Sequence, residues 1–340
     1  MEQYIAIDNV CAWPNLTLMP NGDIVATIFN QPTHGRWEGD VECWGSSDGG
    51  KIWSKRGVPA PHEPGTNRMN VAAGLAKDGS LIVIASGWSN RPPAPVGNED
   101  QNYGSWFGES RTLVPWICRS TDGGYTWTQE EGIYFSECVE EVTYNPIPFG
   151  DIITLSDGRL AVTVYSSLKS GVHLLYSEDD GKSWGNASAI VQGDLYHNET
   201  ALLSPDGKKI LTAVRCEEKA VLDLFISNDL GKNWEYRFPI TLGSRAPGHL
   251  LKLANGDILL TYGIRNRGFH GVGVRISSDE GETWKAPAYL VDFEGDVDGT
   301  YPASVQLDDG IIVTAYYRRH APVHNRYHMG VVRWRIDEFY

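Results

Sequence analysis

The sequence lacks the features that would place it on nucleic acid or inside a membrane. It contains no apolar stretch of about 18 residues or more, so no transmembrane helix is predicted. Lysine and arginine number 29 against 43 acidic residues, which gives a net charge of -14, and no basic stripe is visible. This balance excludes nucleic acid and anionic membrane as expected partners.

Cysteine is also scarce. Five are present, an odd number without CxxC spacing, which favours a reducing compartment over a disulfide framework. They are Cys11, Cys43, Cys118, Cys138 and Cys216. The N-terminus shows no basic region followed by an apolar run, so no signal peptide is visible and a cytoplasmic location is expected. A secreted chain whose leader had been removed would look the same.

What the sequence does contain is an internal repeat. The pattern Ser-x-Asp-x-Gly-x-x-Trp occurs five times, and such a repeat at intervals of about 50 residues is typical of propellers and solenoids. Asp and Gly suit a tight turn, Ser and Asp side chains can bond local backbone, and Trp can pack beneath. The five copies begin at Ser46, Ser120, Ser177, Ser227 and Ser277.

A second repeat sets the expected number of blades. Six turn dipeptides, each followed by a short aliphatic strand, begin at Asn21, Asp78, Asp157, Asp206, Asn255 and Asp309. We therefore predict an all-β fold: a single domain over residues 1–340 that forms a six-bladed β-propeller. The strand Tyr4 to Ile7 is expected to close the ring by pairing into the last blade. Residues 87–116 are expected to form a long inserted loop.

The turn repeats also locate the mouth of the central channel. Inner strands should converge there at their first residues, and second strands should end at the same rim. The positions so found are unusually polar for a propeller axis, where an isolated charge would be costly. They include Trp13, Gln31, Arg68, Trp88, Asp151, Glu199, Arg215, His249, Arg265 and Tyr301.

Two segments of the chain resemble segments of the sialidase (neuraminidase) superfamily, whose members carry Asp boxes on a six-bladed ring. Asn198–Gly207, followed by a strand that ends at Arg215, matches the family's blade four, and Tyr301–Gly310 matches the start of its blade six. The resemblance implies that Tyr301 is a nucleophile, that Glu199 polarises it, and that Arg215 binds a substrate carboxylate. A phenol is a weak nucleophile unless a base takes its proton.

The chain also departs from the family pattern. Ala12-Trp13-Pro14 stands where the family has the first arginine of its carboxylate-binding triad, which argues against ordinary sialidase activity. The loop from Gln31 to Asp40 has no Asp at the position of the family's acid/base. As the acid we predict Glu38 first, beside the apolar wall of Trp37, then His34, then Asp40.

Further binding roles follow from position at the rim. Arg68, Arg215 and Arg265 could form a replacement arginine cluster. Trp13 and Trp88 could act as stacking platforms for a sugar ring, with Gln31, His249 and Asp151 as additional polar contacts. No cofactor and no metal site are predicted, and the histidine-rich segment 318–328 shows no clear metal geometry.

These observations predict a glycoside hydrolase that releases a terminal, acidic sugar with retention through a tyrosyl intermediate. Its partner would be a carbohydrate substrate. One alternative is a polysaccharide lyase or His-dependent glycosidase on uronate-containing glycans, with His34 or His249 as base and Tyr301 as acid. Another is a glycan-binding propeller without catalysis.

Overall fold

The structure is a computed structural model that describes residues 1–93, 109–131, 145–167 and 170–340. Within these residues it contains 24 β-strands and a short 3-10 helix, Ile336–Glu338. The strands are β1 (Glu2–Asp8), β2 (Ala12–Leu18), β3 (Ile24–Phe29), β4 (Val41–Ser46), β5 (Ser54–Ala60), β6 (Thr66–Leu75), β7 (Leu81–Ser89), β8 (Trp116–Ser120), β9 (Thr128–Glu131), β10 (Ile147–Thr154), β11 (Leu160–Tyr165), β12 (Val172–Ser177), β13 (Gly185–Val191), β14 (His197–Leu203), β15 (Ile210–Cys216), β16 (Val221–Ser227), β17 (Glu235–Pro239), β18 (Arg245–Lys252), β19 (Ile258–Asn266), β20 (Phe269–Ser277), β21 (Ala288–Asp292), β22 (Gly299–Gln306), β23 (Ile312–Ala321) and β24 (His324–Trp334).

The strands are arranged as a β-propeller with four separate four-stranded blades. Three blades follow the chain, as β2 to β5, β14 to β17 and β18 to β21. The fourth has the order β1-β24-β23-β22, so the N-terminal strand pairs antiparallel with the last strand and closes the ring. The predicted closure by Tyr4 to Ile7 is confirmed.

The predicted number of blades is wrong. The remaining eight strands form one continuous sheet of order β13-β12-β11-β10-β6-β7-β8-β9 rather than two further separate blades. The joint is a parallel pairing of β6 and β10, in which Gly150 lies opposite Ala72 and Ile152 lies opposite Gly74. Gly74 permits this approach because a β-carbon there would lie 2.3 Å from the Ile152 carbonyl oxygen.

Both sequence repeats lie in hairpins at one end of the sheets. Each turn dipeptide connects an innermost strand to the next, and its glycine adopts a positive φ between 81° and 93°. The boxes connect third strands to fourth strands. In the box that begins at Ser120, the Asp122 carboxylate accepts hydrogen bonds from Ser120 Oγ at 2.8 Å and from Thr126 Oγ1 at 2.6 Å. Trp127 Nε1 donates to the Gly124 carbonyl at 2.9 Å.

The opposite end of each innermost strand is irregular. Strands β2, β6, β10, β14, β18 and β22 all shift register with their neighbour close to their first residues. Bulges of this kind redirect side chains and are frequent beside binding sites. These six strands follow one another around the axis, so their irregular ends surround a common opening.

The structure describes only part of the predicted loop insertion at 87–116. Strand β7 extends to Ser89, and Trp88 forms an isolated bridge with Thr112. Residues 94–108 lie outside the described part of the chain, as does Cys138. The single-domain prediction stays a prediction. Among the described residues, no helix has the length and apolar character to cross a membrane.

The boxes make stability depend on pH. Hydrogen bonds from Thr126, and then from Ser120 and local backbone, lower the pKa of Asp122 from 3.8 to about 2. A lowered folded-state pKa stabilises above the unfolded value, and the effect is lost as pH falls through the folded value. We expect Asp122→Asn to lower Tm at pH 7 by about 2 °C.

The Tm difference should shrink between pH 4 and pH 2, since the wild-type carboxylate becomes protonated there. Thermal unfolding of both proteins across this range measures it. Asp194→Ala, at an exposed carboxylate, serves as the control. A Tm difference that stayed constant down to pH 2 would contradict the assignment.

Candidate functional site

A cavity of about 180 Å³ opens where the irregular ends of the innermost strands meet. Its wall combines aromatic rings with a few polar side chains, the composition expected of a small-molecule site. The lining residues are Trp13, Pro14, Asn15, His34, Met69, Asn70, Val71, Trp88, Phe149, Gly150, Asp151, Tyr165, Glu199, Ala201, Pro247, Gly248, His249, Tyr301, Pro302 and Ala303.

Two lining residues are held in an unusual backbone conformation. Trp13 has φ 43° and Tyr301 has φ 48°, each at the bulge of its strand. Non-glycine residues with positive φ cost on the order of 1–3 kcal/mol and cluster at functional sites. Each residue precedes a proline, and the bulge turns its side chain into the cavity rather than along the pleat.

Tyr301, Glu199 and Arg215 form a single hydrogen-bonded cluster, although they are separated in the sequence. The Tyr301 hydroxyl donates to Glu199 Oε1 at 2.5 Å. Arg215 Nη1 lies 2.5 Å from Glu199 Oε2 and 3.3 Å from the Tyr301 hydroxyl oxygen. Arg215 Nη2 also bonds Glu217 at 2.9 Å. The predicted proximity of these three residues is therefore present.

The cluster keeps the Tyr301 phenol neutral at rest. Burial raises the pKa of Tyr301 well above its ordinary value, and the adjacent Glu199 carboxylate raises it further, while Arg215 and Arg265 act in the opposite direction. The Glu199 carboxylate already accepts the hydrogen bond of this phenol, so it is in place to take the proton if the phenol is deprotonated.

Arg265 lies beside the cluster but does not line the cavity. Its Nη2 donates to the Gly299 carbonyl at 3.1 Å and lies 3.2 Å from Thr300 Oγ1. The guanidinium carbon is 5.6 Å from the centre of the Tyr301 ring. Arg265 thus supports the strained segment before Tyr301 and adds positive charge close to its ring.

Of the three predicted acids, only His34 lines the cavity. Its Nδ1 lies 3.4 Å from Asp298 Oδ2, and its ring meets that of Trp13 edge-on at 4.9 Å. Burial alone would raise the pKa of Asp298, but hydrogen bonds from His34 and Tyr327 hold it well below its ordinary range. A carboxylate in this position orients the imidazole ring.

Glu38 and Asp40 point elsewhere, so the structure disagrees with the first and third choices of acid. Glu38 Oε1 accepts the backbone N–H of Gly65 at 2.5 Å. Asp40 Oδ1 accepts the backbone N–H of His62 at 2.8 Å and lies 2.6 Å from its Nδ1. Both carboxylates fix the loop that carries His34 instead of facing the cavity.

Arg68 and Gln31 are also absent from the cavity wall. The Arg68 guanidinium donates to the Val114 carbonyl at 2.8 Å and stacks 3.7 Å from the Trp116 ring centre. Gln31 Nε2 donates to the side chain of Asn30 at 3.1 Å. The predicted arginine cluster is therefore incomplete, because only Arg215 and Arg265 lie near Tyr301. Position at a strand end did not determine which way these side chains turn.

Trp13 and Trp88 both line the cavity, and their role as stacking platforms stays a prediction. Trp13 packs edge-on against both Tyr301, at 6.3 Å, and Tyr317, at 5.8 Å between ring centres. Trp88 Nε1 donates to Asn70 Oδ1 at 3.1 Å. These contacts fix both indoles as rigid walls.

Asp151 and His249 form the floor of the cavity. Asp151 Oδ2 lies 3.0 Å from His249 Nε2, and its Oδ1 accepts a hydrogen bond from Asn15 at 3.1 Å. The same two residues also line a wider, open cavity further along the axis. The pair therefore lies between the cavity that contains Tyr301 and the wider, open cavity.

Sequence reasoning missed two charged residues of the site. Asp298 lies three positions before Tyr301, in the connection that leads into β22. Glu217 follows Arg215 by two positions, just after β15 ends, and its carboxylate accepts a hydrogen bond from the Arg215 guanidinium. A search of the residues next to each predicted site position would have found both.

Comparison with known proteins shows the family to which the chain belongs. The model of the BNR repeat-like domain matches residues 98–314. The chain belongs to the BNR repeat-like family of the sialidase superfamily. The predicted resemblance is confirmed.

Individual relatives in the superfamily are distant. A sialidase of Clostridium perfringens is 22% identical over 271 residues, which cover 72% of this chain and 67% of that protein. A sialidase of Bacteroides fragilis is 25% identical over 285 residues, and the match covers 75% of this chain and 50% of that protein. A crystallised Dyadobacter fermentans protein of unknown function has TM-score 0.77 at 21% identity, over 98% of each chain.

In this superfamily member, the Glu199–Arg215 pair should contribute to stability. Glu199 is buried, and removing Arg215 would leave its carboxylate without the compensating charge. Breaking a buried pair in this way costs about 3 kcal/mol or more. We expect Arg215→Met to lower the free energy of unfolding by that amount, measured by urea denaturation.

Glu217→Gln is the matched control, because it removes the more exposed partner of the same arginine. Its cost should stay below about 1 kcal/mol. Equal decreases in the free energy of unfolding of the two variants would contradict a stabilising role for the buried Glu199–Arg215 pair.

Proposed function

We propose that this protein is a retaining exo-glycosidase in which Tyr301 is the nucleophile, Glu199 its base and His34 the acid. The observation that carries the proposal is the contact of the Tyr301 hydroxyl with Glu199 at 2.5 Å inside a cavity, with Arg215 beside both. Membership of the sialidase superfamily supports the reaction class.

In the first step the Tyr301 oxygen attacks the anomeric carbon as its proton passes to Glu199. Arg215 stabilises the developing phenolate charge and holds the Glu199 carboxylate in position. The bond to the leaving oxygen breaks, and that oxygen takes a proton from the His34 imidazolium. The product of this step is a sugar covalently bound to Tyr301.

In the second step the neutral His34 imidazole removes a proton from a water molecule that attacks the anomeric carbon. The bond from carbon to the Tyr301 oxygen breaks, and Glu199 returns the proton to the phenolate. Two displacements retain the configuration of the sugar. Asp298 stabilises the imidazolium and fixes the ring, so it is a positioning residue.

The shape of the cavity supports cleavage of a terminal sugar. About 180 Å³ accommodates one sugar ring, and the Asp151–His249 floor blocks passage along the axis. A tyrosine nucleophile suits an anomeric carbon that bears a carboxylate, since a second anion would be repelled. We therefore keep an acidic sugar as the proposed substrate. Arg215, the predicted partner of its carboxylate, already forms ion pairs with Glu199 and Glu217.

We expect Tyr301→Phe to reduce kcat by about 10³-fold or more, because the ring remains while the nucleophilic oxygen is lost. Aryl glycosides of sialic acid, glucuronate, rhamnose and arabinose provide the substrate screen. Tyr316→Phe is the matched control, since that phenol lies outside the cavity and bonds Gln3. Retained turnover in Tyr301→Phe would refute the tyrosyl mechanism.

The leaving group tests the role of His34. A nitrophenol leaves without protonation, whereas an alkyl or sugar alcohol needs an acid. We expect His34→Ala to lose about 10²-fold or more in kcat on substrates with a sugar leaving group, and much less in the first step on nitrophenyl glycosides. Glu38→Gln and Asp40→Asn should behave like the wild type. If Glu38→Gln instead lost activity mainly on substrates with a sugar leaving group, the acid would be Glu38 and not His34.

A lyase acting on uronate-containing glycans is the second candidate. The Asp151–His249 pair favours it, because an imidazole held by a carboxylate in the cavity could serve as base with Tyr301 as acid. The absorbance of an unsaturated uronate product distinguishes this reaction from hydrolysis. Binding of a glycan without any turnover would indicate the non-catalytic alternative.

A further inference from the structure

Three buried residues behind the proposed active site form a compact set of potential metal ligands: His197, Cys216 and Asp223. One ligand atom from each lies within 4.8 Å of the other two. All three are at most 5% exposed. None of them lines the cavity that contains Tyr301, so the cluster is distinct from that site.

Strand pairing produces this arrangement. His197 on β14 lies directly opposite Cys216 on β15. Asp223 on β16 lies opposite Val214, two positions before Cys216 on the same strand. Residues two apart on a strand share a face, so the three side chains converge on one side of the sheet. Arg215, between Val214 and Cys216, points to the opposite face and reaches Glu199.

The histidine is oriented as a metal ligand would be. Its Nδ1 lies 3.1 Å from the Leu195 carbonyl oxygen, which can only accept a hydrogen bond, so Nδ1 carries a proton. In neutral histidine the lone pair is then on Nε2, which lies 3.3 Å from Asp223 Oδ2. Metal-binding histidines commonly donate their other N–H to a carbonyl in this way.

Among the residues that the structure describes, Asp223 has no partner closer than 3.3 Å. Its contacts are His197 Nε2 at 3.3 Å, the Tyr236 hydroxyl at 3.5 Å and Lys219 Nζ at 4.0 Å. A neutral His197 would turn a lone pair towards it, which is repulsive. A cation between the two residues would satisfy both, and the half-exposed Lys219 side chain can turn outward to admit it.

We propose that His197, Cys216 and Asp223 bind a zinc ion. One thiolate, one imidazole and one carboxylate are ligands that Zn²⁺ accepts, and their charges balance those of the ion. Ligand atoms in a tetrahedral zinc site lie about 3.3–3.8 Å apart. The separation of 3.3 Å between Nε2 and Oδ2 already meets this value, and the other separations need to close by about 1 Å.

A fourth ligand is also at hand. Glu218 Oε2 lies 3.9 Å from Cys216 Sγ, and the carboxylate is held by the backbone N–H of Tyr196. Either Glu218 or a water molecule completes the coordination. The ion would tie together β14, β15 and β16, and the first two of these strands carry Glu199 and Arg215. The sequence pattern predicted no metal site, because strand pairing alone brings these three residues together.

The alternative is that His197 is protonated and simply pairs with Asp223. Burial raises the pKa of the Cys216 thiol, and Asp223 adds to this effect, so zinc must displace a proton from sulfur. A bare ion pair requires no thiolate. Coordination of the added metal by the Cys216 sulfur therefore distinguishes zinc binding from a simple His197–Asp223 ion pair.

The experiment uses the full-length chain, freed of metal with a chelator and checked for folding by circular dichroism. It is titrated with Zn²⁺ by calorimetry and separately with Co²⁺, whose thiolate complexes absorb in the near ultraviolet. We expect one ion per chain, a dissociation constant in the micromolar range or below, the thiolate–cobalt absorption band, and a raised Tm.

Cys216→Ala and Asp223→Asn should each weaken zinc binding by at least about 100-fold, and Cys216→Ala should abolish the thiolate band. Cys118→Ala, at an equally buried free cysteine, is the matched control and should bind as the wild type does. If the folded wild type binds no stoichiometric zinc, or if Cys216→Ala retains the thiolate band, the proposal is wrong. The wild-type titration decides the question even if a variant fails to fold.

Discussion

The pairing of charges around the central axis is the constraint on which the site depends. Charged side chains are expensive to bury unless an opposite charge or hydrogen-bond donor meets them. Here the partners come from different blades: Tyr301 lies next to Glu199 although 102 positions separate them, and Asp151 lies next to His249. Closing the ring is what brings these partners together, so the fold and the polar site stabilise each other.

The same constraint gives the cavity its chemical character. Glu199 is engaged on one side by a phenol and on the other by Arg215, which leaves it able to take a proton but not to swing away. His34 also lines the cavity, and Asp298 holds its imidazole. In the proposed mechanism, Glu199 is the base beside the nucleophile and His34 is the separate acid.

Much of the architecture could be predicted because turns are local. The dipeptide turns require glycine at positive φ, and the box side chains bond backbone within four residues, so both leave a mark in the sequence. The division into sheets could not be read in this way. Parallel pairing between β6 and β10 joins strands that are far apart in the chain. In the sequence nothing distinguishes Gly74 from other glycines in strands, because its role depends on the contact with Ile152.

The sequence by itself determined that this chain is an all-β propeller of the sialidase superfamily, and which strand ends meet at the mouth. The period of the repeat also placed Tyr301, Glu199 and Arg215 at that mouth, whereas the roles predicted for them came from the resemblance to the family. Only the tertiary structure decided which way the other rim side chains turn. Glu38 is directed to Gly65, Arg68 is stacked on Trp116, and His34 is paired with Asp298. The reason is physical: a repeat fixes backbone position, whereas side-chain direction depends on the charge or ring that a distant segment supplies.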